Sequence, residues 1–267
     1  MSDTGAGYTP SAKYASVYAP CVDRIFEEER RKHKNARDCE RAVRNRLYQI
    51  TGAYAPSGSA ARIFERGMDE RLDSLRGVDN YASALEWCAH FLAAHASTRE
   101  RLPVLKAFYD YIGDICAGAR IVADYGCGVN PFALPLWRRS DMIRYDAYDV
   151  DTRSIGYANA LFRRIGLPEA AQASDLAVET PPAASDAALL LKLLPVLDMQ
   201  RDGRGIQLLR EIQSPVKIVS FPLSGLSGTN RARRIDGTAA RFERVAMEAG
   251  IAIRESRRIW SEMVYVI

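Results

Sequence analysis

The chain has 267 residues, 48% of them apolar, which is enough to bury a sizeable core and excludes a chain disordered throughout. Lys plus Arg outnumber Asp plus Glu by 37 to 33, so the net charge of +4 favours anionic partners only mildly, and the placement of the charges matters more than their sum. The five cysteines, Cys21, Cys39, Cys88, Cys116 and Cys127, are odd in number, far apart and never in a C-x-x-C pair; this argues against a disulfide framework and a metal site and for a reducing cytoplasm.

The first residues, "MSDTGAGYTPSAKY", have no basic stretch followed by an apolar core, so no export signal is expected. From about residue 14 to 116 the pattern is helical. In "RRKHKNARDCERAVRNRLYQI", Cys39, Val43, Leu47 and Ile50 recur at spacings of four and three, the mark of one buried helix face. Arg30, Lys34, Arg37, Arg41 and Arg44 recur at the same spacings and predict a basic stripe along that helix. A charged stripe is often only a solvated face, and Asp38 and Glu40 interrupt this one. Its sharper reading is a row of cations spaced to meet phosphates.

After residue 117 strands and helices alternate. Strands are expected at about 120 to 125, 144 to 150, 171 to 175, 186 to 193 and 215 to 221, with helices at about 131 to 139, 153 to 165, 202 to 213 and 238 to 249. The last stretch, "IAIRESRRIWSEMVYVI", reads as two strands joined by a tight turn near Ser261. The expectation is an α/β fold, a seven-stranded and mostly parallel sheet with a C-terminal antiparallel hairpin, preceded by an all-helical N-terminal domain. The most apolar run, "AALLLKLLPVL", is short and broken by Lys192 and Pro195, too short to span a membrane.

The chemistry concentrates in "IVADYGCGVN" at 121 to 130: a strand ending in Asp124, then Gly126 and Gly128 around one cysteine, then a helix. Such a turn lies at the carboxyl edge of a parallel sheet, where open α/β folds bind ligands, and glycine there lets a ligand approach the backbone. A lone G-x-G does not choose the ligand, because a dinucleotide dehydrogenase carries much the same turn and an acid ending its second strand, a place Asp149 fills here. The third glycine of G-x-G-x-x-G is missing, with Pro131 near its place, which makes a cradled pyrophosphate less natural. Asp175 in "QASDLA" ends the third strand, where an adenine amino group can be held, so adenosine with an amino-acid tail fits better than a dinucleotide.

Together, "HASTRERLP" at 95 to 103, "DYGCGVNPFALP" at 124 to 135, "LLLKLLPVLD" at 189 to 198 and "VSFP" at 219 to 222 resemble the aminoglycoside-resistance 16S rRNA (guanine-N7) methyltransferases, with the S-T-R-E-R-L-P block the most specific of them. The resemblance implies a class I, Rossmann-like methyltransferase fold that uses S-adenosyl-L-methionine (SAM), leaves S-adenosyl-L-homocysteine (SAH), and methylates a decoding-site guanine of the 30S subunit. It implies a docking part at residues 1–100 and a catalytic part at 101–267; nothing in the pattern indicates a dimer, so a monomer is expected, with no DNA or membrane partner. Carried over by position, Arg101 reaches the SAM carboxylate, Gly126 and Gly128 the methionyl part, Asp149 the ribose and Asp175 the adenine, with Asp124, Val150 and Leu176 beside them. The forked guanidinium of Arg101 suits a carboxylate, although a helix-surface pair with Glu100 or Asp110 is its plainer reading.

Lys192 interrupts an apolar strand end, where a buried cation is expensive unless it is paired or faces a cleft. The resemblance assigns it to positioning the target nucleotide, and snorkelling to water is the bland alternative. Guanine N7 has a lone pair and no proton to lose, so no general base is needed and alignment with the methyl group is the catalytic demand. The target base must be splayed out of its helix. His33, His90 and His95 are expected to be structural or surface groups.

Two places depart from the family pattern. D-x-A-C-G becomes "DYGCG", and the Lys-Ser-Leu-Gly and Lys-Gly-Met runs after the Phe-Pro pair become "LSGLSGTNRARRIDG", in which Arg231, Arg233 and Arg234 keep the positive charge for RNA. The exact target nucleotide therefore stays open. Other readings are a small-molecule methyltransferase with a helical lid, a noncatalytic RNA-binding relative, and a dehydrogenase.

Overall fold

Residues 14–116 build helices, as their periodicity predicts. In the computed structural model, which describes residues 8–52, 67–78, 80–138, 141–182, 184–223 and 231–267, they form α1 (Ala19–Lys32), α2 (Ala36–Leu47), α3 (Met68–Asp73), α4 (Tyr81–Leu92), α5 (Ala96–Arg99) and α6 (Leu105–Ile115). No described helix is long and apolar enough to cross a membrane.

The basic stripe does not run along one helix. The chain breaks at His33–Asn35, where the Asn35 side chain accepts a hydrogen bond from the Arg37 amide and caps α2. Arg30 therefore belongs to α1, Lys34 to the connection, and only Arg37, Arg41 and Arg44 share α2. The apolar spacing in α2 does hold: Cys39, Val43, Leu47 and Ile50 are buried against Cys21, Val22 and Ile25 of α1, so the two helices form a hairpin with its own small core. Below α2 the chain widens into a π-helical turn, Tyr48–Gly52.

The second half is a seven-stranded sheet: β1 (Ile121–Tyr125), β2 (Arg144–Asp149), β3 (Ala171–Ala173), β4 (Ala187–Leu191), β5 (Val216–Pro222), β6 (Glu255–Ile259) and β7 (Glu262–Val266), in the order β3-β2-β1-β4-β5-β7-β6. β1 to β5 pair in parallel, and β7 runs antiparallel between β5 and β6. The hairpin turn passes through Trp260, a non-glycine residue at φ 55°.

Alternation along the strands sends side chains to two cores. Val122, Leu189 and Ile218 join one that includes Leu92 of α4, Phe108 of α6 and Phe162 of α8 (Thr152–Arg164). Ala123, Leu190 and Val219 join another under α9 (Leu194–Gln200), α10 (Arg204–Glu211) and α11 (Arg231–Glu248). Two helical expectations change. The piece after β1 is a short 3-10 turn, Asn130–Ala133, leading into a single helical turn, α7 (Leu134–Trp137), with Pro131 and Pro135 each at the start of its segment. The run read as strand to residue 193 ends at Leu191, and Pro195 opens α9, which the sequence reading did not separate.

Candidate active site

The sheet order reverses between β1 and β4, and a cleft opens at that switch point on the carboxyl edge. All eight residues expected to hold the cofactor, and Lys192, line it. The hairpin reaches it too, with Ile50 and Thr51 on its wall.

The glycine loop is pinned by backbone bonds: the amides of Gly126 and Cys127 donate to the Tyr148 carbonyl at 2.8 and 3.0 Å. Gly126 sits at φ 69°, and a Cβ there would lie 2.6 Å from Leu193 Cδ1. Glycine suits the left-handed turn here and leaves room for the Leu193 side chain.

Asp149 closes the same loop, accepting from the Gly128 amide at 2.8 Å and the Asp151 amide at 2.9 Å. Burial raises its carboxyl to about 6 despite these bonds. Asp124 is deeper. Its Oδ2 accepts from Tyr145 at 2.7 Å and Asn130 at 2.9 Å, while Oδ1 is buried without a partner. Burial raises this carboxyl to about 7. An orphaned carboxylate oxygen on the cleft wall suits a ligand carrying positive charge and hydrogen-bond donors, and a SAM ammonium and sulfonium supply both.

Arg101 is buried, and its guanidinium forks onto Glu262 of β7, Nε at 2.7 Å and Nη2 at 3.0 Å. It makes neither of the surface pairs considered for it: Asp110 pairs with Lys106, and Glu100 with Lys192. Burial works against the charge on Arg101, and Glu262 outweighs it. Nη1 has only a long 3.5 Å contact to Tyr109.

Lys192 does not snorkel. Its side chain is 6% exposed, and Nζ meets Ser97 O at 2.8 Å, Glu100 at 2.7 Å and Glu262 at 3.0 Å. Its backbone is left-handed, φ 58°, uncommon without glycine and held by bonds from its amide to Ser220. Glu262, missed in the sequence, thus aims both cations, and its own carboxyl is lowered because Arg101 and Lys192 outweigh the burial that would raise it.

His95, expected to be a structural or surface group, also lines the cleft. Its ring lies beside Gly128, Nδ1 is 2.8 Å from Ser97 Oγ, and burial pushes its pKa down to about 4, so the imidazole is neutral at pH 7.

At the far end of the cleft, Asp175 is gripped by Arg24 of α1, Nε to Oδ2 at 2.6 Å and Nη2 to Oδ1 at 3.1 Å. The sequence reading gave Arg24 no role, and it lies 151 positions away from its partner.

The cations of the expected docking face are exposed and loosely paired. Arg30 meets Glu27 at 2.9 Å, Arg41 meets Asp38 at 2.9 Å and Arg44 meets Glu40 at 3.8 Å. Arg231, Arg233 and Arg234 fall in the first turn of α11, where the side chains lie outside the described residues, as does the altered loop at 224–230.

Comparison with known proteins follows the same lines. The 16S rRNA (guanine(1405)-N(7))-methyltransferase of Micromonospora echinospora is 33% identical over 86% of this chain and 82% of its own. That of Proteus mirabilis is 26% identical over 100% of this chain and 96% of its own. Among solved structures, 16S rRNA methyltransferase RmtF in complex with S-adenosyl-L-homocysteine matches with a TM-score of 0.78 at 31% identity, covering 96% of this chain and 93% of that one. The 16S rRNA methylase RmtB matches with a TM-score of 0.71 at 27% identity, covering 96% and 92%. The family profile described as ribosomal RNA methyltransferase (FmrO) matches residues 10–266, and the chain belongs to that family.

Proposed function

We propose that this enzyme transfers the methyl group of SAM to N7 of a guanine in the decoding site of 16S rRNA, on the 30S subunit, and so confers aminoglycoside resistance. The observation that carries this reading is the shared wall of the cleft. The orphaned Asp124 oxygen and the acids after β2 and β3 offer a cationic adenosyl ligand its partners, while Ile50 and Thr51 bring the basic hairpin to the same opening.

When bound, SAM supplies an electrophilic methyl group, and the protein supplies alignment. Asp149, with Val150 beside it, holds the ribose hydroxyls. Asp175 accepts from the adenine amino group, with Leu176 alongside. Arg101, whose other nitrogens are committed to Glu262, offers Nη1 to the methionyl carboxylate. Gly126 and Gly128 form the floor under the methionyl part. Lys192 positions the target nucleotide from the left-handed end of β4.

Residues 1–100 act in docking and 101–267 in catalysis. This division is one of role, because α3, α4 and α6 share a core with the sheet. Arg30, Lys34, Arg37, Arg41 and Arg44, with Arg231, Arg233 and Arg234, meet rRNA phosphates, giving salt-dependent affinity with little sequence information of its own. The enzyme works as a cytoplasmic monomer.

The test is incubation with labelled SAM and intact 30S subunits or naked 16S rRNA, then chemical cleavage at N7-methylguanine and primer extension. A single decoding-site stop seen only with 30S is the expected result. No incorporation by a protein that binds SAM overturns it.

A further inference from the structure

Arg24 lies outside every motif discussed above, yet it makes a concentrated set of contacts at the edge of the cleft. Its guanidinium forks onto both oxygens of Asp175, and Nη2 also donates to the Gln200 side-chain oxygen at 3.0 Å. Nη1 reaches one turn onward along α1 to Glu28 at 3.2 Å. The side chain is only 13% exposed, so the Asp175 pair is shielded from solvent and far less open to screening than a surface pair.

Asp175 and Gln200 both line the cleft; Arg24 stands behind them. With Arg24 in place, Asp175 cannot rotate, because Oδ1 is shared between the guanidinium and the Ala177 amide and Oδ2 takes Arg24 Nε. The free lone pair on Oδ2 then has a fixed direction. The Gln200 amide is fixed at the same time, since its oxygen is committed to Arg24.

The contacts continue away from the cleft. Glu28 also accepts from Arg46 of α2 at 2.6 Å, and Arg46 contacts Glu29 at 3.0 Å. An ionic chain therefore runs from Asp175 through Arg24, Glu28 and Arg46, across both helices of the hairpin. The hairpin is also tied to the sheet beside the cleft: the Tyr18 amide donates to Val150 O and the Thr152 amide to Ser16 O, each at 2.8 Å.

We propose that Arg24 is a positioning residue for the cofactor: it orients Asp175 and Gln200 toward the adenine, so that seating of the basic hairpin and binding of the adenosyl group reinforce each other. This rests on the reading of Asp175 as the adenine acceptor. Because binding linkage is reciprocal, a filled cleft holds the hairpin more firmly, and a seated hairpin tightens the cofactor.

The experiment is calorimetric titration of the full chain with SAH and with S-inosyl-L-homocysteine, in which the adenine amino group is replaced by an oxo group. The proteins are wild type, Arg24→Ala, Arg24→Lys, Asp175→Asn and the Arg24→Ala/Asp175→Asn double variant, with hydrogen exchange of residues 19–47 followed with and without SAH.

Arg24→Ala is expected to weaken SAH by about tenfold, in line with an ionic hydrogen-bonded partner, and to bring the two compounds to similar affinity. The double variant should bind no worse than Asp175→Asn, and SAH should slow exchange in the hairpin of wild type only. An unchanged SAH affinity, an equal loss for both compounds, or losses that add in the double variant would overturn the proposal. If Arg24→Ala does not fold, Arg24→Lys carries the same comparison, since lysine keeps the charge without the fork. Failure of wild type to bind SAH would instead bring down the cofactor reading itself.

Discussion

The cleft and the outer face of the hairpin use charge in opposite ways. In the cleft the ionic groups are buried or half-buried and held by several partners: Glu262 by Arg101, Lys192 and Ser220, Asp149 by two backbone amides. On α2 the cations are exposed, and Arg41 and Arg44 meet only acids three or four residues away on their own helix. Such pairs contribute little and break easily. The first region is sensitive to the geometry of single residues and insensitive to salt; the second acts through its sum and yields to salt. Precision is built into the cleft, and adaptability into the outer face of the hairpin.

The sharpest way to break this contrast is Glu262→Ala. Removing Glu262 leaves Arg101 buried without a carboxylate and Lys192 with Glu100 and Ser97 O alone, and a loss of about 3–5 kcal/mol is expected, measured by urea unfolding, with cofactor binding lost alongside. A cost under about 1 kcal/mol, the surface-pair range, would erase the distinction.

Reversal of Arg37, Arg41 and Arg44 to Glu should act on the other side only. Binding to 30S subunits should fall by about a hundredfold at moderate salt, with a shallower salt dependence, while SAM affinity is retained. Normal 30S binding would remove α2 as a docking face.

Asp149→Ala is expected to raise the SAM Kd by about tenfold or more, because it removes the proposed ribose acceptor and loosens Gly128 together. Unchanged calorimetric affinity would end its assigned role. Lys192→Ala should slow methylation more than it weakens SAM, and full activity would make the lysine structural.

The smallest effect concerns pH. Asp124 and Asp149 have folded pKa values raised by burial to about 7 and about 6, so between about pH 4 and 7 these two acids hold more protons in the folded than in the unfolded chain. Their contribution to the stability of the cofactor-free protein falls as pH rises through that window, while that of His95, pushed down to about 4, rises. A cationic ligand favours the ionised acids, so SAM affinity should rise from pH 6 to 8 by up to about tenfold. Asp124→Asn should flatten the profile.

The sheet was legible because its signals are local. Strand runs with period two, and acids at strand ends, can be read without knowing what packs on them. The break at His33–Asn35 was hidden because Arg30 to Arg44 keep helical spacing across it, and the capping role of Asn35 competes with its place in a charged run. The start of α9 was masked by continuous apolar residues, which fit a buried strand or helix equally well. Glu262 and Arg24 were invisible for another reason. Their partners Arg101 and Asp175 lie 161 and 151 positions away, and nothing in a local window announces such a pairing.

Those separations carry a consequence for how the molecule comes into being. Glu262 faces Arg101 only after β7 has inserted between β5 and β6, and Arg24 meets Asp175 only once the hairpin has swung back onto the sheet. Contacts that close such long loops are slow to form. The cleft is therefore among the last features to mature during folding, and a refolding chain should regain its helical signal before it regains ligand affinity.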